Sequence, residues 1–285
     1  MTKVKTPTQD SIVATNSSSI RFESTLERLS IRHRPSERAL SFPHILASPI
    51  HYEPNYAYPL LVWLHSSEKN EKEVFEVAPK ISAQNYVAVA PRGLLRQKRR
   101  VIRSRVNNRL VDEQSWMEPY YDWAEDEASV SEAENLVFDS IEQASVKFNI
   151  NPRRVFILGR GTGGTMALRV GLRNPREFAG IVSIDGAFPS FDNLPLRCWR
   201  AARDLPILMT TGSEKSTTIP RLSNQRLRLF HTAGMTVVIR QYNDKSNDPH
   251  SAQLRMNRIL SDVNVWTMER ALNPQSPMSE LFGSF

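Results

Sequence analysis

Apolar residues along this chain fall into two rhythms. Short runs dominated by Val, Ile, Leu and Ala occupy 42–47, 60–64, 86–90, 155–158, 181–184, 207–210 and 236–240. Runs this brief predict buried strands, because a half-exposed strand would alternate and a helix would need more length. Longer segments with apolar residues three and four apart lie between them, at 71–83, 124–148, 163–173, 223–233 and 251–271. That spacing predicts helices with one buried face. Strands alternating with helices imply an α/β domain built on a mostly parallel sheet with helices on both faces. Both ends of the chain lack such rhythm. Residues 1–25 are rich in Ser, Thr and Asn, and 274–285 carry two prolines, so a single domain over 26–273 with disordered flanks is expected.

Length and composition agree with that picture. A chain of 285 residues, 40% hydrophobic and 24% charged, can bury one sizeable α/β core. Its one cysteine, Cys198, excludes an internal disulfide framework. The first residues contain no apolar stretch of the kind a secretory signal needs, and no apolar run approaches membrane-spanning length, so a cytoplasmic setting is expected. No metal or cofactor is called for by the sequence.

Charge changes the picture locally. The net charge is +7 and the sequence pI about 9.7, yet much of the excess sits in 92–110, where Arg92, Arg96, Lys98, Arg99, Arg100, Arg103, Arg105 and Arg109 crowd together. From Val111 to Val146 there is no Lys or Arg, and acidic residues accumulate instead. A basic loop folding against an acidic neighbour accounts for this. A polyanion site on Arg96–Arg109, or a surface for an acidic protein partner, is the competing expectation. No aromatic residue interleaves those arginines, so a stacking platform for single-stranded nucleic acid is missing.

The chemistry concentrates after the fourth strand. Val155-Phe156-Ile157-Leu158 runs straight into Gly159-Arg160-Gly161-Thr162-Gly163-Gly164 and then a helical pattern. A strand turning into a helix through a glycine-rich hexapeptide is the setting of the G-x-S-x-G nucleophile elbow. Here the central residue is Gly161. The same stretch matches G-x-G-x-x-G through Gly159, Gly161 and Gly164, with Asp185 ending the next strand, which is the form of a dinucleotide fingerprint. Several strands precede the motif, and Pro175 breaks the helix before the next one, both unlike that fingerprint's usual place at the start of its domain.

The ordered series around the elbow resembles the phospholipase/carboxylesterase branch of the α/β-hydrolase fold over about 40–272. Pro59 through His65 resembles the strand into the family's His-Gly oxyanion loop, Val89-Ala90-Pro91-Arg92-Gly93 the next strand and its exit, and Asn151 through Gly159 the approach to the elbow. The resemblance implies an α/β-hydrolase fold, with site residues carried over position by position. Gly161 stands at the nucleophile position. Lys215 stands at the acid position, with Glu214 and Asp185 as possible substitute acids. His250, after Asn247-Asp248-Pro249, stands at the base position, where a capping or packed role competes with catalysis. His65-Ser66-Ser67 replaces His-Gly, and the backbone N–H groups of Ser66, Ser67 and Thr162 are the candidate oxyanion donors.

Losing the serine from such a triad costs on the order of a million-fold in turnover. The expectation is therefore a family relative that has lost serine-hydrolase catalysis and binds a small-molecule ligand or a protein. Two alternatives stay open: an active ester hydrolase with a displaced constellation around His250, and dinucleotide binding by the Gly159–Gly164 loop.

Overall fold

The computed structural model describes residues 43–67, 69–97, 103–106, 109–112, 120–189, 200–211, 234–242 and 248–272. The chain divides into two compact units, Met1–Arg34 and Pro35–Phe285, and every described residue belongs to the second. The expected terminal segments 1–25 and 274–285, the expected helix 223–233, and the acid candidates Glu214 and Lys215 lie outside the described residues.

Seven strands form the central sheet: β1 (His44–Ala47), β2 (Tyr58–Leu64), β3 (Val87–Pro91), β8 (Ile150–Arg160), β9 (Gly180–Ile184), β10 (Ile207–Thr211) and β11 (Val237–Gln241). Their spatial order is β1-β3-β2-β8-β9-β10-β11. Only β1, paired with β3, runs antiparallel. Among the described residues, the helices of eight residues or more are α1 (Val74–Ile81), α2 (Glu127–Lys147), α3 (Thr162–Arg173) and α4 (Pro249–Leu272).

Strand parity decides which side chains meet which helices, because successive residues point to opposite faces. Leu60, Val62, Leu64, Val155, Ile157, Ile181 and Ile207 share one apolar cluster with the α2 stripe Val130, Ala133, Val137 and Ile141 and with Met166 and Val170 of α3. Leu61, Trp63, Phe156, Leu158, Val182, Ile184 and Leu208 share the other with Val74, Val77 and Ile81 of α1 and Ile259, Leu260, Val263 and Trp266 of α4. Both faces are covered, which is why the strands read as continuous apolar runs. Each predicted strand appears, with ends displaced by a residue or two except at β8. That strand starts earlier, at Ile150, across an irregularity in its pairing with β2 between Tyr58 and Leu60.

The basic segment departs from the expected loop. It contributes β4 (Leu95–Gln97), β5 (Arg103–Val106) and β6 (Arg109–Asp112), and β7 (Tyr120–Asp122) follows. β4 pairs with β7, and β5 with β6. Arg103 stands opposite Asp112 in the register of that ladder. Three described acidic residues of the neighbouring segment pair elsewhere. Glu125 pairs with Arg169 of α3, and Glu127 and Glu134 pair with Arg173. Those carboxylates dock α2 and its entry onto α3, and Arg92 pairs instead with buried Glu71.

Candidate active site

The direction in which the chain winds through the sheet reverses between β2 and β8: β3 lies to one side, and β9, β10 and β11 follow on the other. At such a switch point the loops leaving the two strands diverge and open a crevice at their carboxyl ends, where ligands bind in open α/β sheets. His65-Ser66-Ser67 leaves β2 there, and Gly161 leads from β8 into α3.

Gly161 has φ 56 and ψ −122, a conformation that side-chain-bearing residues avoid. Its backbone is fixed on both sides. The amide donates to the Ile184 carbonyl at 2.8 Å, and its carbonyl accepts from the Thr165 amide at 3.0 Å. A Cβ added at Gly161 would meet no described residue within 4 Å. The backbone turn of a nucleophile elbow is therefore present, and no described residue fills the space above it. Gly163 is the opposite case. A Cβ there would lie 2.3 Å from the Leu64 carbonyl oxygen and 2.4 Å from that of His65, so only glycine lets α3 approach the end of β2 this closely.

His65 is fully buried and hydrogen-bonded at both ring nitrogens. The Gly93 amide donates to Nε2 at 2.9 Å, so Nε2 is unprotonated, and Nδ1 carries the proton toward the Ser66 carbonyl at 3.0 Å. Burial holds the imidazole pKa below its ordinary value, against smaller upward pulls from the Ser66 carbonyl and from Glu73, Glu71 and Asp122. Trp123 lies against the ring and donates from Nε1 to the His65 carbonyl at 3.0 Å. His65 is a neutral brace for the loop.

Ser66 is committed elsewhere. Its amide donates to Glu73 Oε2 at 2.8 Å and its hydroxyl to Oε1 at 2.7 Å, while Trp63 Nε1 donates to Oε2 at 3.1 Å. Buried Glu73 thus ties the start of the loop to the helical turn Glu71–Glu73 and takes up the one backbone donor that Ser66 has to offer. Ser67 and Thr162 converge on a different carboxylate. The Thr162 hydroxyl donates to Asp122 Oδ1 at 2.6 Å, and the Ser67 hydroxyl donates to Oδ2 at 2.8 Å. The Trp123 amide also donates to Oδ1, at 2.8 Å. Asp122 ends β7, so the ribbon of β4 and β7 is fastened at the crevice by its last residue.

Of the candidate acids, only Asp185 is among the described residues. Asp185 lies just past β9 with φ 53, its amide donating to the Thr210 carbonyl at 2.8 Å. His250 is exposed in the first turn of α4, and its ring makes no hydrogen bond or ion pair with Asp185 or any other described residue. The cap of that helix is Asp248, whose carboxylate accepts from the Ser251 amide at 2.9 Å and from the Ser251 hydroxyl at 2.7 Å. A nucleophile–base–acid line is therefore not assembled among the described residues.

Asp122 and Glu73 are the rim residues that sequence reasoning missed. Asp122 is separated from Ser67 by 55 positions and from Thr162 by 40, so no local spacing announces it. Glu73 sits at the start of an expected helix, where an acidic residue needs no special explanation.

Sequence comparison adds a family. The phospholipase/carboxylesterase family matches residues 59–266. The carboxylesterase SOBER1 of Arabidopsis thaliana is 26% identical over 156 residues, an overlap of 55% of this chain and 65% of that relative. Its crystal structure superposes with a TM-score of 0.53 at 20% identity, covering 75% of this chain and all of that one. The Bacillus cereus carboxylesterase gives a TM-score of 0.53 at 13% identity, covering 80% of this chain and 94% of its own. A phospholipase/carboxylesterase from Dyadobacter fermentans gives 0.52 at 14%, covering 79% and 96%. The structural likenesses carry the fold, and the family match extends from β2 into α4, through the loop after β2 and the Gly161 turn. The chain belongs to the phospholipase/carboxylesterase family and has the α/β-hydrolase fold.

Proposed function

We propose that this family member has given up serine-hydrolase catalysis and uses the crevice between β2 and β8 to bind a ligand or a protein partner. One observation carries the proposal: position 161, in the turn that would present the nucleophile, is a glycine whose outward face meets no described residue within 4 Å. Hydrogen bonds hold the turn in shape, so what is missing is the reacting atom rather than the scaffold. Catalysis of this kind depends on nucleophile and base acting as a unit, and removing the nucleophile leaves only about a thousand- to ten-thousand-fold over water. His250, without a hydroxyl to deprotonate, serves as surface of the first turn of α4. Ser67 and Thr162 are the loop positions that remain for contacts to a ligand, since Ser66 is engaged by Glu73. No helix among the described residues is long and apolar enough to cross a membrane, and the proposed setting is the cytoplasm.

The test is direct. The purified protein is incubated with a fluorophosphonate probe and with p-nitrophenyl esters of several chain lengths. The expected result is no covalent labelling and no turnover above a heat-treated control. Stoichiometric labelling would overturn the proposal and favour an active hydrolase with a displaced constellation. Gly161→Ser alone is expected to restore little turnover, because Lys215 stands where the acid belongs. Full rescue would assign the acid to Glu214 or Asp185.

A further inference from the structure

We infer that Asp122 determines the specificity of this crevice: its carboxylate turns away acyl and phosphoryl anions and favours a ligand that arrives as a protonated amine. The inference rests on the crevice being a binding site, as proposed above, and adds the class of ligand.

Charge decides the sign. The first turn of a helix offers unsatisfied backbone N–H groups and a partial charge of about +0.5, which by itself would favour an anion above Gly161. Asp122 brings a full negative charge to the same place, bound to the first residue of α3 through the Thr162 hydroxyl. Neither basic group described on the loops leaving β2 and β3 offsets it. Arg92, on the loop leaving β3, is engaged with Glu71 through both Nε and a terminal nitrogen. His65 is neutral, because its Nε2 is an acceptor. Asp122 itself forms no ion pair with any described residue. Among these described groups the balance beside Thr162 is negative.

Hydrogen bonding points the same way. The Thr162 and Ser67 hydroxyls each spend their single proton on Asp122, so what they can offer a ligand is lone pairs. Two hydroxyl oxygens and a carboxylate form a rim of acceptors beside the space over Gly161. An ammonium group carries three donors and a positive charge, and so satisfies such a rim. A phosphate or carboxylate brings only acceptors and a repelled charge.

The experiment follows the Gly161, Thr162 and Gly163 amide resonances of the ¹⁵N-labelled full chain. It is titrated separately with n-butylammonium chloride and with inorganic phosphate at matched ionic strength. In the wild type, butylammonium is expected to move these resonances saturably and phosphate to leave them in place. Asp122→Asn should weaken the butylammonium response at least tenfold and let phosphate move the same resonances. Glu177→Gln, which removes an exposed charge beyond the C-terminal end of α3, should change the butylammonium affinity less than threefold. A wild-type response to phosphate, no response to butylammonium, or an unchanged butylammonium affinity in folded Asp122→Asn would each overturn the inference. Should Asp122→Asn fail to fold, Asp122→Glu, which keeps the charge, must still prefer butylammonium to phosphate. The fluorophosphonate assay reads a different property, so labelling can refute the loss of catalysis without moving these titrations, and the reverse.

Discussion

Gly161 and Gly163 are two residues apart and have opposite reasons for being glycine, which predicts opposite sensitivities to the same substitution. At Gly161 an alanine Cβ meets nothing within 4 Å, so the cost is purely conformational. A side-chain-bearing residue held at φ 56 and ψ −122 is strained by about 1–3 kcal/mol. The lower entropy of the unfolded alanine chain offsets about 0.4–1 kcal/mol of that. A net loss of about 1–2 kcal/mol lowers the melting temperature of a domain this size by about 2–8 °C. At Gly163 the backbone is ordinary helix, but the new Cβ would stand 2.3 and 2.4 Å from two backbone carbonyl oxygens at the end of β2. Neither oxygen belongs to a side chain that can rotate away, so α3 must shift off the sheet at a cost of about 3 kcal/mol or more. Paired thermal and urea melts of Gly161→Ala, Gly161→Ser and Gly163→Ala check this. The two position-161 variants should melt close together, since both suffer the same strain, and Gly163→Ala should melt well below them or fail to accumulate. The argument is refuted if Gly161→Ala is the worse of the two alanine variants, or if Gly163→Ala melts with the wild type.

Three further outcomes are expected. His65 is held neutral by burial, so its folded pKa lies below the unfolded one; full stability is present above pH about 6.5 and is lost as pH falls below it, with a slope approaching about 1.4 kcal/mol per unit. Urea melts at several pH values should show that slope diminished in His65→Gln. Arg92→Ala leaves the Glu71 carboxylate, 3% exposed, without its counter-charge and should destabilise by about 3 kcal/mol. Adding Glu71→Gln should recover part of that loss in a double-mutant cycle. Finally, if Arg96–Arg109 binds polyanions, heparin should bind at low salt, release steeply toward moderate salt, and bind poorly to the variant with Arg99, Arg100 and Arg103 changed to Ala. Binding indifferent to those arginines would reduce the segment to solvated surface.

The sheet was legible because every strand in its middle is buried on both faces, and runs such as Leu60–Leu64 and Val155–Leu158 admit few other readings. The elbow was legible for a similar reason: its glycines are local and contiguous. The strands of the basic segment were not, since three or four residues rich in arginine carry no apolar signature, and the register that sets Arg103 opposite Asp112 exists only once the ladder has formed. Asp122 is the instructive miss. On the sequence it is one acidic residue among many between 112 and 134, and what distinguishes it is that two hydroxyls from distant loops end on it. The same long-range character hid Arg169 and Arg173 as the partners of the acidic segment.

The conformation at position 161 also bears on how such a protein can change over generations. A serine on this turn stores strain in the folded state, and a glycine releases it, so the exchange from serine to glycine leaves the molecule sturdier while silencing it. The return path is asymmetric. A reverse mutation meets no described residue, but it lowers stability at once, and under the function proposed above it brings no activity until an acid is aligned with His250. Selection for folding and selection for chemistry pull apart at this residue, and drift alone favours the silent side.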